Sequence, residues 1–259
     1  MPVGTIAITG SAGGIGRATR RRLETDGHVV IGVDVRDADV VADVATPAGR
    51  DQMVADVTAA SGGMLDGLVA GAGVAGADDA GLVVRTNYFG AVAALSGLRP
   101  LLERGAAASA VAISSNSTTA LPALDRSIVH ACLAGDEAEA SRLAVAQPAS
   151  AYAASKMALA HWVRRHSGTT EWAGAGIRLN AIAPGLILTP MTEGMADAVL
   201  KLGDVFPIPL HRAGRPEEVA GLLSYLLSPE ASFFCGSVVF MDGGSDAALR
   251  SDDWPAPRP

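Results

Sequence analysis

The chain has 259 residues, 49% of them hydrophobic and 18% charged, which is enough for one large α/β domain with a sizeable core. Lys and Arg total 20 against 27 Asp and Glu, a net charge of −7 with no long basic run, and this argues against nucleic acid as a partner. Aromatic residues make up only 4%, so alanine and aliphatic side chains must fill the interior.

Short apolar runs alternate with helical patterns from the start. Residues 3–9 read as a strand that enters the turn Thr9-Gly10-Ser11-Ala12-Gly13-Gly14-Ile15-Gly16. Residues 15–26 follow as a helix, with Gly27 placed to stop it. Residues 28–33 form the next strand, Val40 and Val41 fit a short third one, and Pro47 opens a helix to about Ser61. Residues 68–70 and 110–114 are strands again. Strands alternating with helices imply βαβ units, hence one doubly wound parallel sheet of about seven strands in a Rossmann-type α/β domain over residues 1–250. Residues 251–259 form a polar, proline-rich tail that is either mobile or anchored through Trp254.

The glycine turn sits between a strand and a helix. Small residues there let the backbone approach a pyrophosphate, and the helix N-terminus supplies free N–H groups. A glycine cluster can also be an ordinary loop, so its placement carries the inference. Asp34 ends the second strand 18 residues after Gly16, near the spacing expected of an acid that binds the adenosine ribose hydroxyls. A carboxylate there repels a 2′-phosphate, so NAD(H) is expected rather than NADP(H). Arg36 points the other way, but Gly13 offers no second positive charge.

Tyr152 and Lys156 stand four positions apart in Tyr152-Ala153-Ala154-Ser155-Lys156, one turn apart on a helix. A nearby cation favours the phenolate, so the expectation is a tyrosine with a lowered pKa, usable in acid–base chemistry.

With these pieces in order, residues 3–244 resemble the short-chain dehydrogenase/reductase family. The resemblance rests on TGSAGGIG at 9–16, Asp34, Asp43-Val44, Asn87 in TNYFGA, Ser114-Ser115, YAASK at 152–156, NAIAPGLILT at 180–189 and Asp242-Gly243-Gly244. It implies a catalytic set of Asn87, Ser115, Tyr152 and Lys156. Tyr152 exchanges a proton with the substrate oxygen, and Lys156 lowers its pKa and holds ribose hydroxyls. Ser115, in preference to Ser114, hydrogen-bonds the reacting carbonyl, and Asn87 supports a proton relay. It also implies cofactor contacts from Gly10, Gly13, Gly14, Ile15, Gly16 and Gly73, from Asp43 and Val44 at the adenine, and from Pro184, Gly185, Ile187 and Thr189 at the nicotinamide. One departure stands out: Gly71 occupies the place of the family's asparagine after the fourth strand, so bracing must come from elsewhere.

Between Ser115 and Tyr152 lie more residues than the family usually has. The added stretch, 124–147, has helical periodicity broken at Gly135-Asp136, and two short helices near the mouth of the active site are expected. In this insertion the chain is similar to bacterial 3α-hydroxysteroid dehydrogenase/carbonyl reductases and coniferyl-alcohol dehydrogenases. Residues 190–209, with Met191, Met195, Val199, Leu200, Leu202, Val205, Phe206 and Ile208, read either as a lid over an apolar pocket or as a helix packed on the domain. The resulting expectation is an enzyme that interconverts a secondary alcohol and a ketone, with a 3-hydroxysteroid or another bulky hydrophobic alcohol as substrate. A non-catalytic NAD(H) sensor on the same fold is the alternative. A homo-oligomer is expected, a dimer rather than a tetramer because the insertion precedes Tyr152. Cys132 and Cys235 have no metal-ligand spacing and no disulfide framework, the opening residues lack a charged n-region, and no span of about 18 apolar residues occurs. A cytoplasmic protein without metal or membrane partner is expected.

Overall fold

In the computed structural model, which describes residues 4–76, 78–120, 124 and 126–253, seven strands form one sheet in the order β3-β2-β1-β4-β5-β6-β7, every neighbouring pair parallel. The strands are β1 (Thr5–Thr9), β2 (Val29–Asp34), β3 (Val40–Val41), β4 (Gly67–Ala70), β5 (Ser109–Ile113), β6 (Arg178–Pro184) and β7 (Val238–Met241). The helices that separate them are α1 (Gly14–Thr25), α2 (Pro47–Ala60), α3 (Ala80–Val84), α4 (Ala91–Leu102), α5 (Ser117–Ala120), α6 (Arg126–Ala134), α7 (Glu137–Ala146), α8 (Pro148–His166), α9 (Ala196–Leu200), α10 (Pro216–Leu227) and α11 (Ser245–Leu249). The strands and helices expected before residue 115 fall within one or two residues of these bounds. Gly27, at φ +94°, ends α1 by the left-handed turn expected of it.

Strand alternation sorts the core into two layers. Ile6, Ile8, Val69, Val111 and Ile182 face α1 and α10 through Leu23, Val219, Leu223 and Leu226. Ala7, Leu68, Ala70, Ala110, Ala112 and Ala181 face the other way, toward Met53, Leu95, Leu98 and Leu159. The small residues on this second face let α4 and α8 lie close to the sheet, so close packing replaces the missing aromatic bulk. Strand order reverses between β1 and β4, and the crevice at the strands' carboxyl ends is where an open α/β sheet binds its ligand.

The inserted stretch forms α6 and α7. They break at Gly135-Asp136, where the Asp136 carboxylate caps α7 by accepting the Glu139 N–H at 2.9 Å. Their apolar faces are buried: Ile128, Cys132, Ala140 and Ala144 join the larger core beside Ala151, Ala154 and Ala158 of α8 and Val83 of α3. The pair thus covers the outer side of α8 and α3, not the mouth of the crevice where it was expected. The reason is its own amphipathicity, which finds an apolar helix face to cover. Residues 190–209 do the opposite. They hold α9 and a 3₁₀ turn at Gly203–Val205 that bury no side chain, with Met191, Met195, Leu202 and Val205 exposed. At the C-terminal end Arg250 pairs with Asp246 and lies over the Phe240 ring, whereas Trp254 lies outside the described residues.

Candidate active site

The crevice is built on the turn between β1 and α1. Gly10 has φ +77°, and a Cβ on Gly16 would lie 2.0 Å from the Gly10 carbonyl oxygen, so α1 can start this close to the strand only with glycine there. A Cβ on Gly14 would strike the Thr189 side chain at 2.8 Å. Gly13 precedes α1 with no side-chain cap, and no acid sits in the first turn. The first amides of α1 are therefore open to an anion, and the cradle fits a dinucleotide pyrophosphate.

Asp34 ends β2 beside this turn. One carboxylate oxygen accepts the Ala12 N–H at 3.0 Å and the other accepts the Val35 N–H at 2.8 Å, so its direction is set before any ribose arrives. Arg36 is exposed. Further along the same edge, Asp43 is exposed and accepts the Ala45 N–H through Oδ1 at 2.9 Å, leaving Oδ2 for a donor such as an adenine amino group. Val44 is buried next to it.

At the other end one cavity is lined by Ile15, Gly73, Ser115, Tyr152, Lys156, Pro184, Gly185, Ile187 and Thr189, nine residues singled out from the sequence. Gly71, Ile113, Ser114, Met191 and Thr192 complete it. Ser115 comes from the end of β5 and Tyr152 and Lys156 from α8, which crosses beneath. The Ser115 hydroxyl accepts the Ser117 N–H at 3.1 Å and lines the same cavity as Tyr152. Ser114 is buried, and its hydroxyl donates to the Lys156 backbone carbonyl at 2.9 Å, which ties β5 to α8 and takes it away from the reacting position.

Lys156 is fully enclosed. Its Nζ donates to the Ile113 carbonyl at 2.8 Å and stands 6.0 Å from the centre of the Tyr152 ring. Loss of water pushes its pKa from 10.5 down to about 8. The same burial acts on Tyr152, raising its pKa above the ordinary 10, with the Ser115 hydroxyl opposing it. This corrects the expectation of a lowered tyrosine pKa: desolvation of the phenolate outweighs a cation that is 6.0 Å away and engaged by a carbonyl.

Asn87 sits in a π-turn, Arg85–Gly90, and is completely buried. Its Oδ1 accepts the Val74 N–H at 2.8 Å, and its Nδ2 donates to the Val74 carbonyl at 3.0 Å and to the Ser155 hydroxyl at 3.3 Å. The side chain therefore braces the backbone beyond β4, with its amide protons engaged there and at Ser155. Gly73 lies between it and the lysine: a Cβ there would be 3.2 Å from Asn87 Oδ1 and 3.3 Å from Lys156 Nζ.

The segment after β4 is braced by Thr9. Its Oγ1 accepts the N–H groups of Gly71 and Ala72, both at 3.1 Å. Sequence reading placed Thr9 at the head of the glycine turn without assigning it this role, which depends on β1 lying beside β4. Ile113 and Thr192 were also missed. The first acts through its carbonyl, which no sequence pattern marks; the second holds the Thr189 N–H at 3.0 Å.

Known proteins share this arrangement. Residues 4–124 match the family model described as short chain dehydrogenase, and 137–246 match that described as enoyl-(acyl carrier protein) reductase. The 3-alpha-hydroxysteroid dehydrogenase/carbonyl reductase of Comamonas testosteroni is 40% identical over 256 residues, covering 95% of this chain and 97% of the relative. The cis-4-hydroxycyclohexanecarboxylate dehydrogenase of Sinomonas cyclohexanicum is 34% identical, covering 93% and 95%. The crystal structure of the 3-alpha-hydroxysteroid dehydrogenase from Pseudomonas sp. B-0831, complexed with NADH, superposes with a TM-score of 0.89 at 46% identity over 96% of this chain and 100% of that one. With its fold, its crevice and two family models covering most of its length, the chain belongs to the short-chain dehydrogenase/reductase family of nicotinamide-dependent oxidoreductases.

Proposed function

We propose that this oxidoreductase uses NAD(H) to interconvert a secondary alcohol and a ketone on a bulky apolar substrate of the 3-hydroxysteroid kind. The observation that carries the reading is the placement of Ser115 and Tyr152 in one cavity with the exposed Met191, on a segment that also leaves Leu188, Met195, Leu202 and Val205 exposed. Bound nicotinamide supplies the hydride acceptor or donor. In reduction Tyr152, held protonated by burial, gives its proton to the ketone oxygen while Ser115 donates a second hydrogen bond to the same atom. In oxidation the hydroxyl proton returns to Tyr152. Lys156 holds a cation at the floor, and Asn87 keeps Gly73 against it. Asp34 supports NAD(H) over NADP(H), since a carboxylate at the end of β2 would repel a 2′-phosphate.

A smaller cyclic alcohol is the second substrate reading, favoured by the 34% identity to the cyclohexanecarboxylate enzyme. A panel of 3α- and 3β-hydroxysteroids, coniferyl alcohol and cyclic alcohols, followed with NAD at the NADH absorbance band, separates the two. Turnover of a 3α-hydroxysteroid supports the steroid reading; turnover confined to cyclohexanols replaces it. NADH binding without any turnover would reopen the substrate and favour the sensor reading. A homo-oligomer, a dimer in preference to a tetramer, is part of the same reading, supported by the open edge of β7 and the exposed Phe233 and Tyr225 near it. Two unpaired cysteines support a cytoplasmic setting. No helix among the described residues is long and apolar enough to cross a membrane.

A further inference from the structure

Arg50, in the first turns of α2, joins three parts of the chain that are far apart in sequence. Its Nε donates to the Val44 carbonyl at 2.8 Å, and its Nη2 donates to the carbonyls of Ala45 at 3.2 Å and Arg85 at 3.4 Å. The same guanidinium grips Glu137, the first residue of α7, with both nitrogens at 2.6 and 2.8 Å, and its plane lies 5.9 Å from the Phe89 ring centre. The two side chains are only 12% and 28% exposed, so this two-pronged pair is screened less than surface pairs such as Arg142 with Glu139.

What Arg50 holds is the loop 43–46. Val44 packs into the space that Gly90 leaves, where a Cβ would come within 2.8 Å of its side chain, and Asp43 stands at the open edge beside it. Glu137 orients the guanidinium, and the guanidinium fixes the two carbonyls that set the direction of this loop. We propose that Arg50 and Glu137 are positioning residues through which the inserted helices hold the adenine-binding loop, so that the insertion tunes cofactor affinity. This rests on the reading above that Asp43 and Val44 receive the adenine.

The test is fluorescence titration of the full-length protein with NADH, and competition by ADP-ribose, which keeps the adenine and lacks only the nicotinamide. Glu137→Gln keeps the side-chain volume and removes the charge; it should weaken both ligands by about fivefold, as expected for groups in one network. KM for NAD should rise by the same factor with kcat retained. Glu139→Gln, which breaks the exposed pair on the same helix, should change neither affinity. Arg50→Lys keeps the charge without the fork and should fall between, and it carries the test should Glu137→Gln fail to fold. Affinities within twofold of the unaltered protein in both variants would overturn the proposal. Failure of the unaltered protein to bind NADH or ADP-ribose would instead overturn the cofactor assignment on which the proposal rests.

Discussion

Tyr152 and Lys156 are shifted in directions that a single cause, burial, explains. Removing the phenol should abolish proton exchange while leaving cofactor contacts in place. Turnover of Tyr152→Phe should fall by at least about 100-fold, in the range general acid–base catalysis contributes. NADH titration should show unaltered affinity, and more than about a tenth of the original rate would remove tyrosine from the mechanism. Lys156 has a pKa of about 8, so its cation is lost as pH rises through that value. Ketone reduction needs both a protonated Tyr152 and a charged Lys156. Its kcat/KM should therefore decline above about pH 8, and a flat profile from pH 7 to 10 would contradict this. The stability sign is opposite. A folded pKa below the unfolded 10.5 means the unfolded chain binds more protons between about 8 and 10.5, so Lys156 contributes a stability that rises with pH across that window. Asp34→Ala removes a charged acceptor, and NADH should bind roughly tenfold more weakly, on the scale of a charge-assisted hydrogen bond, with a relative gain for NADPH. An unchanged NADH-to-NADPH ratio would refute the ribose assignment.

The end of β4 illustrates how one strand supports another. Thr9 on β1 accepts two backbone N–H groups of the segment after β4. Thr9→Val keeps the shape and strands both donors, so thermal unfolding should show a loss of about 1–2 kcal/mol. Introducing an asparagine with Gly71→Asn should not help. A Cβ at position 71 would meet the Ile113 side chain and the Thr9 carbonyl oxygen at 3.0 Å, and the variant should melt at or below the original temperature. The strand and helix bounds around this region were legible because alternation and glycine punctuation are local signals. The brace was not, because it depends on β1 and β4 being neighbours although 62 residues separate Thr9 from Gly71. The insertion shows the same division. Its periodicity and its break at Gly135-Asp136 marked two helices, but a helix face states only that it needs a partner, not which one. α8 and α3 supplied that partner, and the cavity is lined instead by Thr189, Met191 and Thr192.

Taken as one body, the chain presents two sheet edges. β3 ends the sheet at one edge and β7 at the other, and near β7 stand Phe233, fully exposed, and Tyr225. Light scattering of the native protein should give the mass of two chains, and Phe233→Asp should lower it; a tetramer insensitive to that change would remove the dimer reading. Sequence alone was sufficient for the parallel α/β class and the glycine turn between strand and helix, because these depend on local spacing and on which face of an element is apolar, whereas Ser115 was named only through the family resemblance. Three features came only from packing: the engagement of Lys156 by the Ile113 carbonyl, the upward shift of the Tyr152 pKa, and the Arg50–Glu137 clasp across 87 positions. Desolvation and long-range hydrogen bonding depend on which surfaces meet when the chain closes on itself, and periodicity along the chain carries no record of that.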